Sequence, residues 1–191
     1  LWFSSTLFAS KNKKSEATRN SMPALKARNS LYFQREKKNK RELHMSQKSV
    51  SLVEMSFFSH ATEDDNKVLA AARNLLPATH LENISFSKSS VRGHHGNPIT
   101  LFETEIKDKK ILTAVVENLA RGLSPLDKEK LLSEAELHVE KGSLYLRFDK
   151  QAAFRGEFKL GVSDPIRVRL RLKKHKLEDV VQLCREIGLF P

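Results

Sequence analysis

Four cations alternate with four aliphatic side chains in Ile166-Arg167-Val168-Arg169-Leu170-Arg171-Leu172-Lys173. An extended chain turns successive side chains to opposite faces, so the pattern predicts a strand with Arg167, Arg169, Arg171 and Lys173 on one side, about 6.7 Å apart. That interval is close to the phosphate spacing of an extended nucleic-acid strand. Four phosphate contacts to a single strand would give a salt slope of about −2.8, roughly a 50-fold loss of affinity between 50 and 200 mM salt. The plainer alternative is a wet outer face, part-neutralised by acids on neighbouring strands. Tyr145 and Arg147 share one side of the Leu144–Phe148 run. A ring and a guanidinium placed there could stack on or clamp an unpaired base.

The second constellation is Gly93-His94-His95-Gly96-Asn97-Pro98. Metal binding would need three or four converging ligands, and adjacent side chains in an extended stretch diverge. His60, His80, His138 and His175 are scattered, with no helical i, i+4 pair and no HExxH motif. General-base chemistry would need an orienting acid, for which Glu63, Glu103 and Asp149 are the candidates. Glycines on both sides fit better a loop shaped to meet a partner. No GxGxxG, GxxxxGK[ST] or GxSxG motif occurs, so no cofactor and no metal is expected.

Strand and helix patterns that must position these residues alternate from Leu52 onward. "SLVEMSFFSH" reads as a strand and "ATEDDNKVLAAARNLLP" as a helix capped by Thr62 and stopped at Pro77. "LENISFSKSS" and "NPITLFETEI" read as two strands joined at the His-His loop. "DKKILTAVVENLARGL" is an amphipathic helix, and Ser124-Pro125 starts a shorter one. "ELHVEKGSLYLRFD" predicts a tight hairpin turning at Lys141-Gly142, and "KQAAFRGEF" a turn or short helix. The basic strand and the helix "LEDVVQLCREIG" close the chain. Strands with one apolar face and helices to cover it define an α+β class, a two-layer sandwich with a largely antiparallel sheet covered by helices.

The totals narrow the function classes. The 191 residues carry a net charge of +11. Residues 1–44 hold 11 Lys/Arg against 3 Asp/Glu, which leaves 23 against 20 for residues 45–191. Most of the basic excess, which would suggest a polyanionic partner, therefore lies in the first 44 residues. That segment is expected to be a basic tail outside the domain, either a disordered arm or sequence upstream of a start at Met45, with residues 45–191 forming one domain. Cys184 is the single cysteine, which excludes an internal disulfide and points to the cytoplasm. No apolar run is long enough to span a bilayer, so no membrane partner is expected.

The ordered motifs "HATEDDNKV", "GHHGNPI", "LYLRFDKQAAFRGEF" and "DPIRVRLRL" resemble the small archaeal RNA-binding-domain family described as predicted exosome subunits. The resemblance covers about residues 52 to 190 and none of the tail. It implies a fold similar to the large-subunit ribosomal protein that binds 5S ribosomal RNA. It also implies RNA as partner, exosome or ribosome components as further partners, a role in RNA processing or ribosome-linked work, and no established catalytic activity. By motif it carries over His94, His95, Gly96, Asn97 and Pro98, then Arg147, Asp149, Lys150 and Gln151, and the Asp164-Pro165 strand start. The expected RNA-binding set is therefore Arg167, Arg169, Arg171, Lys173, Arg147, Lys150, Tyr145, His94, His95 and Asn97. The enzymatic alternative is an RNA hydrolase in which His94 or His95 works with Asp149 and Lys150. A third possibility is a protein–protein adaptor docked on a larger RNA machine.

Overall fold

The computed structural model describes residues 50–93 and 96–191. The expected tail, the boundary at residue 45 and both His94 and His95 lie outside the described residues. Six strands form one antiparallel sheet: β1 (Val50–His60), β2 (Ser87–Arg92), β3 (Pro98–Ile106), β4 (Val139–Glu140), β5 (Ser143–Phe148) and β6 (Ile166–Leu172), in the order β2-β3-β1-β6-β5-β4. The helices are α1 (Asp65–Asn74), α2 (Lys109–Gly122), α3 (Pro125–Ser133), α4 (Ala135–His138), α5 (Lys150–Phe154) and α6 (Leu177–Glu186). The α+β sandwich expected from the alternating patterns is the one observed.

Period-two alternation selects the face that each strand buries. Ile166, Val168, Leu170 and Leu172 of β6 are buried beside Val53, Met55 and Phe57 of β1 and Leu144, Leu146 and Phe148 of β5. The helices close over them with Val68 and Ala72 of α1, Val115, Val116 and Leu119 of α2, Leu131 of α3, and Val180 and Cys184 of α6, all in one hydrophobic cluster. Truncating such a side chain, as in Leu170→Ala, removes its transfer free energy and leaves a cavity, a cost of about 2–5 kcal/mol. Burial pushes the Cys184 thiol up to about 12. Among the described residues no helix is long and apolar enough to cross a membrane.

Local chemistry sets the element ends. Asp108 caps α2 by accepting from the backbone N–H groups of Lys110 and Ile111, and these bonds hold its carboxyl below the usual range. Ser124 caps α3, with Pro125 in its first turn. Lys141 and Gly142 both have positive φ, the pattern of a type I′ hairpin turn. A Cβ at Gly142 would lie 2.5 Å from the Lys174 carbonyl oxygen, so glycine is required by space as well as by conformation.

Three boundaries differ from expectation. The cap of α1 is Asp64, which accepts from the Asn66 N–H, and not Thr62. Residues 61–63 are still turning, with Glu63 N–H donating to the His60 carbonyl. The run beginning at Leu81 is not a strand there, because Ala78–Asn83 form a 3₁₀ helix after Pro77 and β2 starts only at Ser87. Leu81 packs against the core from within this helix, and Ile84, extended just past its end, is buried in the core, both without strand pairing. The first arm of the 136–149 hairpin shrinks to Val139–Glu140, its preceding residues forming α4.

Candidate nucleic-acid interface

The face of the sheet opposite the helices carries the basic residues singled out in the sequence. Arg167 and Arg171 of β6 and Lys173 just beyond it are exposed, and Arg169 is half-buried. On β5, Arg147 is exposed and Tyr145 half-buried. Register places Arg147 directly opposite Arg167, and Tyr145 opposite Arg169. Directly opposed side chains on one face sit about 5 Å apart at Cβ, close enough that two like charges destabilise the pair unless an anion joins them. Among the described residues no carboxylate lies within ion-pair distance of Arg147, Arg167, Arg171 or Lys173. The Arg167 guanidinium instead lies 5.8 Å from the centre of the Phe58 ring, a cation–π contact.

Arg169 departs from the expectation of four equivalent phosphate-binding cations. Its Nη1 is 3.1 Å from Glu54 Oε2, its Nε donates to Ser143 Oγ at 3.2 Å, and its guanidinium lies 5.5 Å from the Tyr145 ring centre. Sequence alternation places Arg169 on the right face, but only register reveals that Glu54 stands beside it on β1. The row is thus three unpaired cations and one positioned guanidinium.

Lys150 does not extend the exposed basic surface. It is 7% exposed, and its ammonium bonds to Glu63 Oε2 at 3.0 Å and to Asp164 Oδ2. His60 joins through its Nε2, 3.3 Å from Asp164 Oδ2, while its backbone N–H donates to Glu63 Oε2. The network ties the end of β1, the start of α5 and the turn before β6, where Asp164 adopts φ +42. His60, Glu63 and Asp164 bring ligand atoms within 4.8 Å of one another. The Lys150 ammonium already supplies the cation both carboxylates need. Asp149 is likewise committed, capping α5 through the Ala152 N–H. Sequence separations of 87 and 14 residues from Lys150 to its partners give no signal of this network.

At the far edge of the sheet, Asn97 is exposed and its carbonyl accepts from the Gly93 N–H, while Gly96 takes φ +76 and its N–H donates to the Gly93 carbonyl. Gly93, Gly96 and Asn97 thus lie at the tip of the β2–β3 hairpin. β6 and β5 are separated from β2 by β1 and β3. The loop and the arginine row therefore occupy different parts of the sheet. Lys88 of β2 pairs at 2.7 Å with Asp65 in the first turn of α1, and this bond, with Ser59 and Thr100 adding to it, holds the Asp65 carboxyl below its ordinary range.

A six-stranded antiparallel sheet with helices on one face, and on the other three cations of β6 and its end without an ion-pair partner among the described residues, defines an α+β protein with an open basic sheet face. A family model described as RNA binding matches residues 52–172, and the chain belongs to that family. It is 40% identical over 134 residues to RNA-binding protein PAB1135 of Pyrococcus abyssi, covering 68% of this chain and 87% of the relative. It is 30% identical over 146 residues to the uncharacterized protein MJ0213 of Methanocaldococcus jannaschii, covering 71% and 97%. Among solved structures it is similar to protein AF2318 of Archaeglobus fulgidus, a DUF54 protein, at 33% identity and TM-score 0.63, covering 72% of this chain and 99% of that one.

Proposed function

We propose that this chain is a non-catalytic RNA-binding module that grips the phosphate backbone along β5 and β6. The observation that carries the reading is the direct opposition of Arg147 and Arg167 with no intervening carboxylate, continued by Arg171 and Lys173. An isolated sheet face lowers its energy by alternating signs across strands. A row left unpaired fits an external anion, and phosphate is the anion that the family and the relative's name suggest. Arg169, already held by Glu54, positions the surface and does not itself neutralise a phosphate. RNA processing associated with exosome or ribosome components is the setting that the motif resemblance adds, and the single cysteine points to the cytoplasm. The hydrolase alternative gains no support from Asp149 and Lys150, since one caps a helix and the other is buried among ion pairs.

Gel-shift titration of the full chain with single-stranded RNA tests this. Binding is expected at low salt and weakens steeply between 50 and 200 mM, while Arg167→Glu with Arg171→Glu lowers affinity at least about tenfold. Binding unchanged by the paired reversal removes the proposal. RNA shortened by the chain, and left intact by His94→Ala with His95→Ala, would move the function to the hydrolase.

A further inference from the structure

The charges on the open sheet face are segregated. Arg147, Arg167 and Arg171 stand on β5 and β6, while Glu54 on β1 and Glu103 and Glu105 on β3 stand on the same face. Register sets Glu54 directly opposite Glu105, and Ser56 opposite Glu103. Two carboxylates are thus opposed on one half of the face as two guanidinium groups are on the other. Among the described residues neutralisation is only partial. Glu105 pairs with Lys107 at 3.0 Å and Glu54 with Arg169, and Glu103 is exposed with no cation at ion-pair distance among the described residues. Glu54 Oε2 has no hydrogen bond even so, which makes its contact with Arg169 coulombic.

Between the halves lies a groove of about 590 Å³, lined by Glu54, Glu103, Glu105, Tyr145, Arg167 and Arg169 among others. It holds three recognition chemistries in one concavity: a guanidinium that reaches the phosphate track, a guanidinium backed by an aromatic ring, and carboxylates that accept hydrogen bonds. Phosphate is repelled from the carboxylate side. What suits that side is the hydrogen-bond-donor edge of a base whose phosphate remains on the arginine side. Glu103 on β3 lies two strand spacings from Arg167 on β6 and three from Arg147 on β5, roughly 10–14 Å, while Glu54 on β1 directly adjoins Arg169.

We infer that this groove selects a single unpaired base with a donor-rich edge, guanine first, from the RNA held along β5 and β6. Guanine offers an imino and an amino N–H side by side, which match the two oxygens of one carboxylate, whereas uracil offers one N–H flanked by carbonyls that the carboxylates repel. Arg169, fixed by Glu54, Ser143 and Tyr145, supplies a planar surface on which the base can stack. Glu103 is the principal acceptor. The inference rests on the RNA-binding reading above and adds base selection to it.

Fluorescence anisotropy with the full chain and two labelled single strands of about a dozen nucleotides, oligouridine and the same strand with one central guanosine, tests the idea. The guanosine strand is expected to bind at least about fivefold more tightly. Glu103→Gln should bring that ratio close to one while leaving oligouridine affinity the same or higher, because a repelling charge is lost. A misfolded variant would lose affinity for both strands. Equal binding of the two strands by the unmodified chain, or a preference that survives Glu103→Gln with Glu105→Gln, overturns base selection and leaves RNA binding standing. Failure to bind either strand overturns RNA binding as well. Free guanosine monophosphate competing mole for mole with the oligonucleotide would assign the groove to a free nucleotide and overturn the RNA-bound assignment.

Discussion

Lys150 and the Arg147–Arg167 pair lie at neighbouring positions in the fold, and the sequence suggests one role for both. The structure gives them opposite surroundings. Lys150 is buried with two carboxylates of its own chain, so its charge is satisfied in the folded state and serves cohesion. Arg147 and Arg167 are exposed, face each other and have no such partner among the described residues. The lesson is that a cation's role follows from where its counter-charge resides. When the counter-charge is internal, removing the cation costs stability; when it must come from outside, removal costs binding.

The difference can be broken most strongly at Lys150. Lys150→Met strands Glu63 and Asp164, each about a quarter to a third exposed, without their shared ammonium. A loss of about 2–3 kcal/mol in urea unfolding is expected, somewhat less than for a fully buried pair because water reaches the carboxylates. RNA affinity of the folded fraction should change less than about twofold, within the scatter of a surface site not in contact. A large drop in affinity at unchanged stability would move Lys150 to the binding side.

At Lys173 the effect is smaller and of the other kind. Lys173→Gln should leave the unfolding midpoint unchanged and reduce the salt slope of RNA binding by about 0.7, the share of one phosphate contact on a single strand. An unaltered slope would show that the track ends at Arg171.

The least effect is expected at Asp65, whose exposed pair with Lys88 belongs to the cohesive class. Its carboxyl is held low in the folded state, mainly by the Lys88 hydrogen bond, so its contribution is complete above the ordinary carboxylate range and lost as pH falls through the lowered value. Asp65→Asn should therefore be less stable than the parent at neutral pH by about 0.5 kcal/mol or less, and the gap should close on acidification. A gap that widens in acid would contradict the assignment.

Much of the fold was legible because alternation and capping are local. The basic strand, β1, the Lys141-Gly142 turn and the amphipathic helices α2 and α6 all follow from spacing alone. What escaped was set by register and by contacts distant in sequence. Glu54 alternates correctly in "SLVEMSF", yet nothing local says that it meets Arg169 on one neighbour and Glu105 on the other. The burial of Lys150 was hidden for the same reason. "FDKQ" reads as a polar stretch after a strand, and it turns inward because Asp149 N–H donates to the Lys159 carbonyl and Gly161 N–H to that of Arg147. That hook requires glycine at 161, where a Cβ would meet the Asp149 backbone at 2.9 Å. Isolated glycines in loops gave no hint of which one would be so constrained.

The lone sulfhydryl of the chain, Cys184, faces the sheet from the last helix with no solvent access. Its resistance to ionisation means that an alkylating reagent meets a reactive thiolate only after α6 has lifted from the strands. The chain thus carries a built-in clock for native-state opening, and it sits on the side of the sheet away from the arginines, where a bound polyanion would not shield it.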